Sequence, residues 1–224
     1  MKILFQGDSI TDTGRNRDSA TDLGRGYAQL VGAELGFREP GKYTFVNKGI
    51  GGDRVVDVYA RINTDIIHQA PDVMSILIGV NDIWKYYAPI PKGTPAEKYY
   101  KLFDMLIAET KAALPNVKIM ILEPFVLRGS GTYMFGSGGG YERYDEFRGR
   151  VEELAQMARK IAEKYQLLFV PLQSGFDALT EQAEDEYWLA DGVHPTVNGH
   201  EFIKQQWLKA FAKLTGQENK YEPD

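Results

Sequence analysis

Residues 2–10 read Lys2-Ile3-Leu4-Phe5-Gln6-Gly7-Asp8-Ser9-Ile10. The run Lys2 to Phe5 is too short for a helix and predicts a buried strand, and the glycine behind it marks the point where the chain leaves the strand. Runs of the same kind, many of them β-branched, recur at Tyr43 to Asn47, Val73 to Ile78, Lys118 to Leu122 and Leu167 to Val170. Stretches of helical periodicity lie at about Gly26 to Leu35, Val55 to His68, Ala96 to Leu114, Tyr144 to Tyr165, Phe176 to Gln182 and Thr196 to Leu214. The fourth is the clearest. Val151, Leu154, Ala155, Ala158, Ile161 and Ala162 form one apolar stripe, with Glu152, Glu153, Arg159, Lys160 and Glu163 on the other side. Strands alternating with amphipathic helices predict an α/β protein: a three-layer α/β/α sandwich around a five-stranded parallel, flavodoxin-like doubly wound sheet. In such sheets functional groups collect at the carboxyl ends of the strands, which is where Ser9 falls.

Composition narrows the chemistry. A chain of 224 residues, 43% hydrophobic and 12% aromatic, can bury the core of one compact domain, expected over 1–215 with a polar tail over 216–224. The 26 basic and 31 acidic side chains give a net charge of −5, which offers no footprint for a nucleic-acid backbone. There is no cysteine, so thiolate nucleophiles, disulfides and cysteine-held zinc are excluded. Only Ile3, Leu4 and Phe5 are consecutively apolar before Gln6, too few for a signal peptide, and no stretch is long and apolar enough for a membrane span. A cytoplasmic location is the expectation. Oligomers are common enough that a monomer is not assumed.

A serine hydroxyl is a poor nucleophile at neutral pH and needs a base within hydrogen-bond reach. There are three histidines. His68 falls near the end of a helix, where a cation suits the macrodipole, and His200 falls inside the final helix; both read as structural. His194 stands in Asp191-Gly192-Val193-His194-Pro195, an irregular segment bracketed by glycine and proline, with Pro195 suited to start the last helix. A tight turn there can bring Asp191 to the imidazole N–H, fixing its tautomer. A lone D-x-x-H can equally be a capped turn, so its weight comes from the serine at the other end of the chain.

Two further strand ends offer donors for an oxyanion. The second strand runs into Asn47-Lys48-Gly49-Ile50-Gly51-Gly52-Asp53, and the third into Gly79-Val80-Asn81-Asp82. The first is not a dinucleotide loop: a G-x-G-x-x-G from Gly49 requires glycine at 54, which is Arg54, and the run follows the second strand. The glycine-rich segment 129–143 reads either as a surface insertion or as a lid over the cleft.

Taken together these blocks resemble the SGNH hydrolase family, also called GDSL esterases. The resemblance rests on Gly7-Asp8-Ser9, Gly52 before Asp53, Gly79 to Asp82, and Asp191 to Pro195, in that order over nearly the whole chain. It implies Ser9 as nucleophile, His194 as acid and base with Asp191, and an oxyanion hole from the Ser9 N–H, the Gly52 N–H and the Asn81 side chain. A shift of one residue would exchange Gly52 for Gly51. The x-S-x-G of an ordinary α/β-hydrolase elbow is missing, since residue 11 is threonine. GDSIT, NKGIGGD and GVNDIW look like the acetylxylan-esterase-like branch. That branch implies a short acyl ester on a sugar as substrate, with no cofactor or metal. Asp8, Trp84, Tyr187 and Trp188 are candidate lining residues, and the three aromatics read equally as core side chains. Three alternatives stand beside it. One is the same apparatus on a lysophospholipid, a thioester or an acyl acceptor; another is a metal-dependent phosphoesterase using Asp8, Asp12 and Asp82; the third is a catalytically silent carbohydrate-binding protein.

Overall fold

The computed structural model describes residues 1–86, 91–133 and 142–217. Five strands, β1 (Lys2–Gly7), β2 (Thr44–Asn47), β3 (Val73–Leu77), β4 (Lys118–Leu122) and β5 (Leu168–Val170), form one parallel sheet in the order β2-β1-β3-β4-β5. Ile3, Leu4 and Phe5 are completely buried, as are Val73, Met74 and Ile76. Continuous burial with no alternation means that both faces of the sheet are covered. The expected three-layer doubly wound architecture is the one observed.

The long helices divide into two packed groups. Helix α2 (Tyr27–Arg38) lies against α10 (Val197–Thr215), and their aromatic contacts run through Phe5, which meets Tyr27 at 5.9 Å and Trp207 at 5.4 Å. On the other side α3 (Val55–Ala60), α5 (Ala96–Ala113) and α7 (Glu142–Tyr165) pack in sequence. The α7 stripe is where its spacing put it: Val151, Leu154, Ala158 and Ile161 are fully buried.

Several boundaries differ from expectation. Residues 55 to 68 are not one helix: α3 stops at Ala60 and a π-helical turn follows over Asn63–Ile67. The break falls at Arg61, whose guanidinium binds Asp53, Asp65, the Gln6 side chain and the Lys48 carbonyl, contacts that local sequence does not announce. Helix α8 (Gln173–Leu179) begins three residues early. Thr196 rather than Pro195 opens α10: the Thr196 hydroxyl accepts from the Gly199 N–H, and Pro195 pairs with Leu189 in a single antiparallel bridge. Short helices α1 (Ser9–Asp12), α4 (Val80–Trp84), α6 (Ser130–Tyr133) and α9 (Asp185–Trp188) were not anticipated, since four or five residues carry no periodicity. Residues 134–141, the middle of the expected lid, and 218–224 of the expected tail lie outside the described residues.

The parallel register brings the strand ends to one edge, with Gly7 beside Leu77 and Leu77 beside Leu122. Ser9 and Asn81 leave β1 and β3, which adjoin, on the two sides of the crevice where the winding of the sheet reverses.

Candidate active site

Asp8 lies between β1 and α1 as the N-cap of the helix. Its Oδ1 accepts from the Ile10 N–H at 3.0 Å, so the side chain caps the helix while Ser9 occupies the first helical position. The Ser9 N–H has no acceptor among the described residues, and its hydroxyl is partly exposed at the edge. The Oγ lies 2.9 Å from His194 Nε2, across 185 positions of sequence.

The segment carrying His194 is built around one carboxylate. Asp191 Oδ1 accepts from the backbone N–H groups of Val193 at 2.9 Å and His194 at 2.8 Å, while Oδ2 meets His194 Nδ1 at 2.7 Å. An ionised carboxylate only accepts, so the imidazole proton sits on Nδ1 and Nε2 is left as acceptor for the serine. Partial burial works against ionisation of Asp191, but the bonds from His194 and Val193 win and hold its carboxyl down at about 2. The same carboxylate raises the His194 pKa above its ordinary value, against the opposing effect of burial. The turn is pinned to the chain leaving β4: Leu127 N–H donates to Gly192 O at 2.9 Å and Gly131 N–H to Asp191 O at 2.8 Å. Gly192 has φ +87, and a Cβ there would come within 2.5 Å of the Leu127 carbonyl oxygen, so glycine is required.

Two more donors stand at the ends of the strands on either side of β1. Asn81, in the first turn of α4, is 8% exposed and its Nδ2 has no partner among the described residues. An unpartnered buried amide calls for a ligand or a function. After β2, Ile50 to Asp53 form a turn closed by Asp53 N–H to Ile50 O at 3.1 Å, with Gly52 at φ +84. The Gly51 N–H donates to Asp12 Oδ2 at 2.9 Å, whereas the Gly52 N–H has no acceptor among the described residues. Of the two adjacent glycines, Gly52 therefore keeps the free donor.

Among the expected lining residues, Trp84 sits beside the imidazole, with ring centroids 5.7 Å apart and planes tilted by 52°. Asp8 is buried beneath the site at 1% exposure, and burial pushes its carboxyl up to about 7. Tyr187 is 52% exposed. Trp188 packs against the core with its indole N–H donating to the Leu179 carbonyl at 3.0 Å, so that donor is not open to a ligand. His200 is buried, accepts from the Tyr27 N–H and is pushed down to about 4 by burial; His68 ends the π-helical turn. Asp12 bonds Gly51 and Arg17 and faces Arg15, while Asp82 accepts from the Val55 N–H. No group of three or more acidic or histidine side chains placed to hold a metal occurs among the described residues. Nor is any helix among them long and apolar enough to cross a membrane. Asp12, weighed from the sequence only as a metal ligand, holds the Gly51 N–H instead. Lys85, whose ammonium bonds the Gly52 carbonyl, was missed as part of the edge; no local motif distinguishes it from a surface charge.

A serine hydroxyl bonded to an imidazole that a carboxylate orients, at a sheet edge that also carries unpartnered N–H groups, is the equipment of acyl transfer. Comparison with known proteins agrees. The profile of the GDSL-like lipase/acylhydrolase family matches residues 5–202. The acetylxylan esterase of Geobacillus stearothermophilus is 34% identical over 93% of this chain and 92% of its own. A crystal structure of that esterase superposes with a TM-score of 0.81, covering 93% of each chain at 33% identity. A crystal structure from Parabacteroides merdae, ascribed to a GDSL-like lipase, gives a TM-score of 0.82 at 39% identity over 95% of each chain. The chain belongs to the GDSL-like lipase/acylhydrolase family, and it is a carboxylic ester hydrolase of the serine type.

Proposed function

We propose that this enzyme removes short acyl groups, acetyl foremost, from the hydroxyls of carbohydrates such as xylo-oligosaccharides. Ser9 Oγ attacks the ester carbonyl as its proton passes to His194 Nε2, and Asp191 stabilises the imidazolium. The oxyanion is held by the N–H groups of Ser9 and Gly52 and by the Asn81 amide. The imidazolium then protonates the departing sugar hydroxyl, and water, deprotonated by the same imidazole, attacks the acyl-Ser9 and releases the acid. None of these steps calls for a cofactor.

The observation that carries this reading is the unbroken hydrogen-bonded line from Ser9 Oγ through His194 to Asp191. The acetyl and carbohydrate preferences rest on the likeness to the Geobacillus acetylxylan esterase. The test is a panel of acetylated xylo-oligosaccharides, long-chain esters, lysophospholipids and thioesters, run with wild type and Ser9→Ala. Fastest turnover on the acetylated sugars, abolished by the substitution, is the expected result. A preference for long acyl chains or thioesters would replace the substrate assignment, and full activity without Ser9 would remove the mechanism.

A further inference from the structure

The turn Ile50 to Asp53 has a property on which an oxyanion donor depends. With a hydrogen bond from residue 53 to residue 50, a positive φ at Gly52 and none at Gly51, it has the form of a type II turn. Types I and II differ in one respect: the central peptide, here Gly51 to Gly52, is turned over. The Gly52 N–H belongs to that peptide. Whether it can donate to a reacting atom therefore depends on which way the central peptide faces.

The two flanking peptides are each held by a charge. On one side the Gly51 N–H donates to Asp12 Oδ2 at 2.9 Å. Asp12 is 6% exposed and is fixed by Arg17 at 2.6 Å and Arg15 at 3.6 Å; Arg15 also donates to the Gly49 carbonyl at 3.2 Å. On the other side the Lys85 ammonium donates to the Gly52 carbonyl. Asp12 ends the short helix that Ser9 begins, and Lys85 follows directly on the helix that carries Asn81. The turn is thus bound by its N–H to the serine's helix and by its C=O to the asparagine's helix. Charge-assisted bonds of this kind are about twice as strong as neutral ones. The same turn lies against the serine, since a Cβ on Gly51 would stand 3.8 Å from Ser9 Cβ.

We propose that Asp12 and Lys85 are positioning residues for ester hydrolysis, clamping the two peptides either side of Gly51–Gly52 so that the Gly52 N–H faces the oxyanion. The clamp rests on the reading of Ser9, Gly52 and Asn81 as nucleophile and donors. Neither residue touches the reacting atoms; each acts through the turn. Without the clamp the central peptide is turned over most of the time, and the hole loses one donor for that fraction.

The experiment compares Asp12→Ala, Asp12→Asn, Lys85→Met and Lys85→Arg with wild type and Ser9→Ala, measuring kcat, KM and the affinity for a boronic acid that forms a tetrahedral adduct. Losing a donor outright costs about a hundred- to a thousandfold, so a donor turned away for about nine-tenths of the time or more should lower kcat by roughly ten- to a hundredfold in Asp12→Ala and Lys85→Met. KM should stay within about twofold, because the ground-state ester needs this donor far less. Boronate affinity should fall with kcat. Asp12→Asn and Lys85→Arg, which keep an acceptor and a cationic donor, should recover most of the loss. Folded Asp12→Ala and Lys85→Met proteins with wild-type kcat and boronate affinity overturn the clamp. So does a loss explained wholly by the unfolded fraction. If Asp12→Ala does not fold, Lys85→Met decides alone, being on the more open side of the turn. Inactive Ser9→Ala beside fully active clamp variants rejects the clamp but not the mechanism; active Ser9→Ala rejects both.

Discussion

The two halves of the site are built differently. At the strand ends, Asp8, Asp12 and Asn81 are at most 8% exposed, and the turn bearing Gly52 is laced to its neighbours by Asn47, Asp12, Arg61 and Lys85. On the other side, the His194 side chain is 43% exposed and Asp191 28%, in a turn held mainly by backbone bonds and one carboxylate. On the proposed mechanism the difference follows from what each half must do. Donors to a developing charge work by standing still in a low dielectric, whereas a base that must pass protons to and from water needs an open flank. On that mechanism rigidity sits where the anion would form, and tuning sits where the proton would move.

That contrast can be broken in several places. The largest effect is expected from Ser9→Ala, which should lower kcat by roughly 10^5- to 10^6-fold, as removal of a triad serine does elsewhere. A loss of less than about tenfold would sink the nucleophile assignment. Next comes Asp191→Asn, expected to cost roughly 10^4-fold by releasing the wrong imidazole tautomer. It should also move the pH profile. Because His194 must be neutral to act, kcat/KM climbs as pH rises through its elevated pKa, and removing the carboxylate that elevates it shifts the acid limb to lower pH. An unmoved limb would mean that Asp191 does not set the base.

Smaller losses should come from the rigid half. Asn81→Ala is expected to lower kcat by about a hundred- to a thousandfold with the fold intact, as circular dichroism and thermal melts would show. Gly52→Ala should fall in the same direction, since alanine resists φ +84, while Gly51→Ala should lose far less. A Cβ on Gly51 meets nothing closer than 3.7 Å. Equal losses at the two glycines would undo the assignment of the donor to Gly52.

The smallest effect is on stability. Burial pushes Asp82 up to about 7, so its contribution to folding is fully present below the unfolded value near 3.8 and is lost as pH rises through about 7. Asp82→Asn keeps an acceptor for the Val55 N–H without the ionisation. Its melting temperature relative to wild type should therefore rise between about pH 4 and about pH 8. A constant difference across that range would show that Asp82 does not titrate on folding.

The sheet was legible in the sequence because its strands are short apolar runs between periodic helices. The hydrogen-bonded line of Ser9, His194 and Asp191 was legible because a strand end and a Gly-Pro turn advertise themselves locally. What could not be read depends on distant partners. Which of Gly51 and Gly52 keeps a free N–H is decided by Asp12, nearly forty positions upstream. The interruption after Ala60 is made by an arginine reaching Gln6 and Lys48. Asp8 and Asp82 belong to a residue type that usually lies at the surface, and only the assembled fold buries them.

The order β2-β1-β3 has a further consequence. The segments bearing Gly52, Ser9 and Asn81 leave three adjacent strands, and adjacent strands lie about 4.8 Å apart. The distances across the receptacle are thus graduated by the hydrogen-bonded ladder itself, a ruler made of backbone that side-chain replacement cannot stretch. Rim loops can lengthen, shorten or be exchanged while the graduation stays fixed. A chain laid out in this way invites grafting: new rims for new esters, on a gauge that need not be recalibrated.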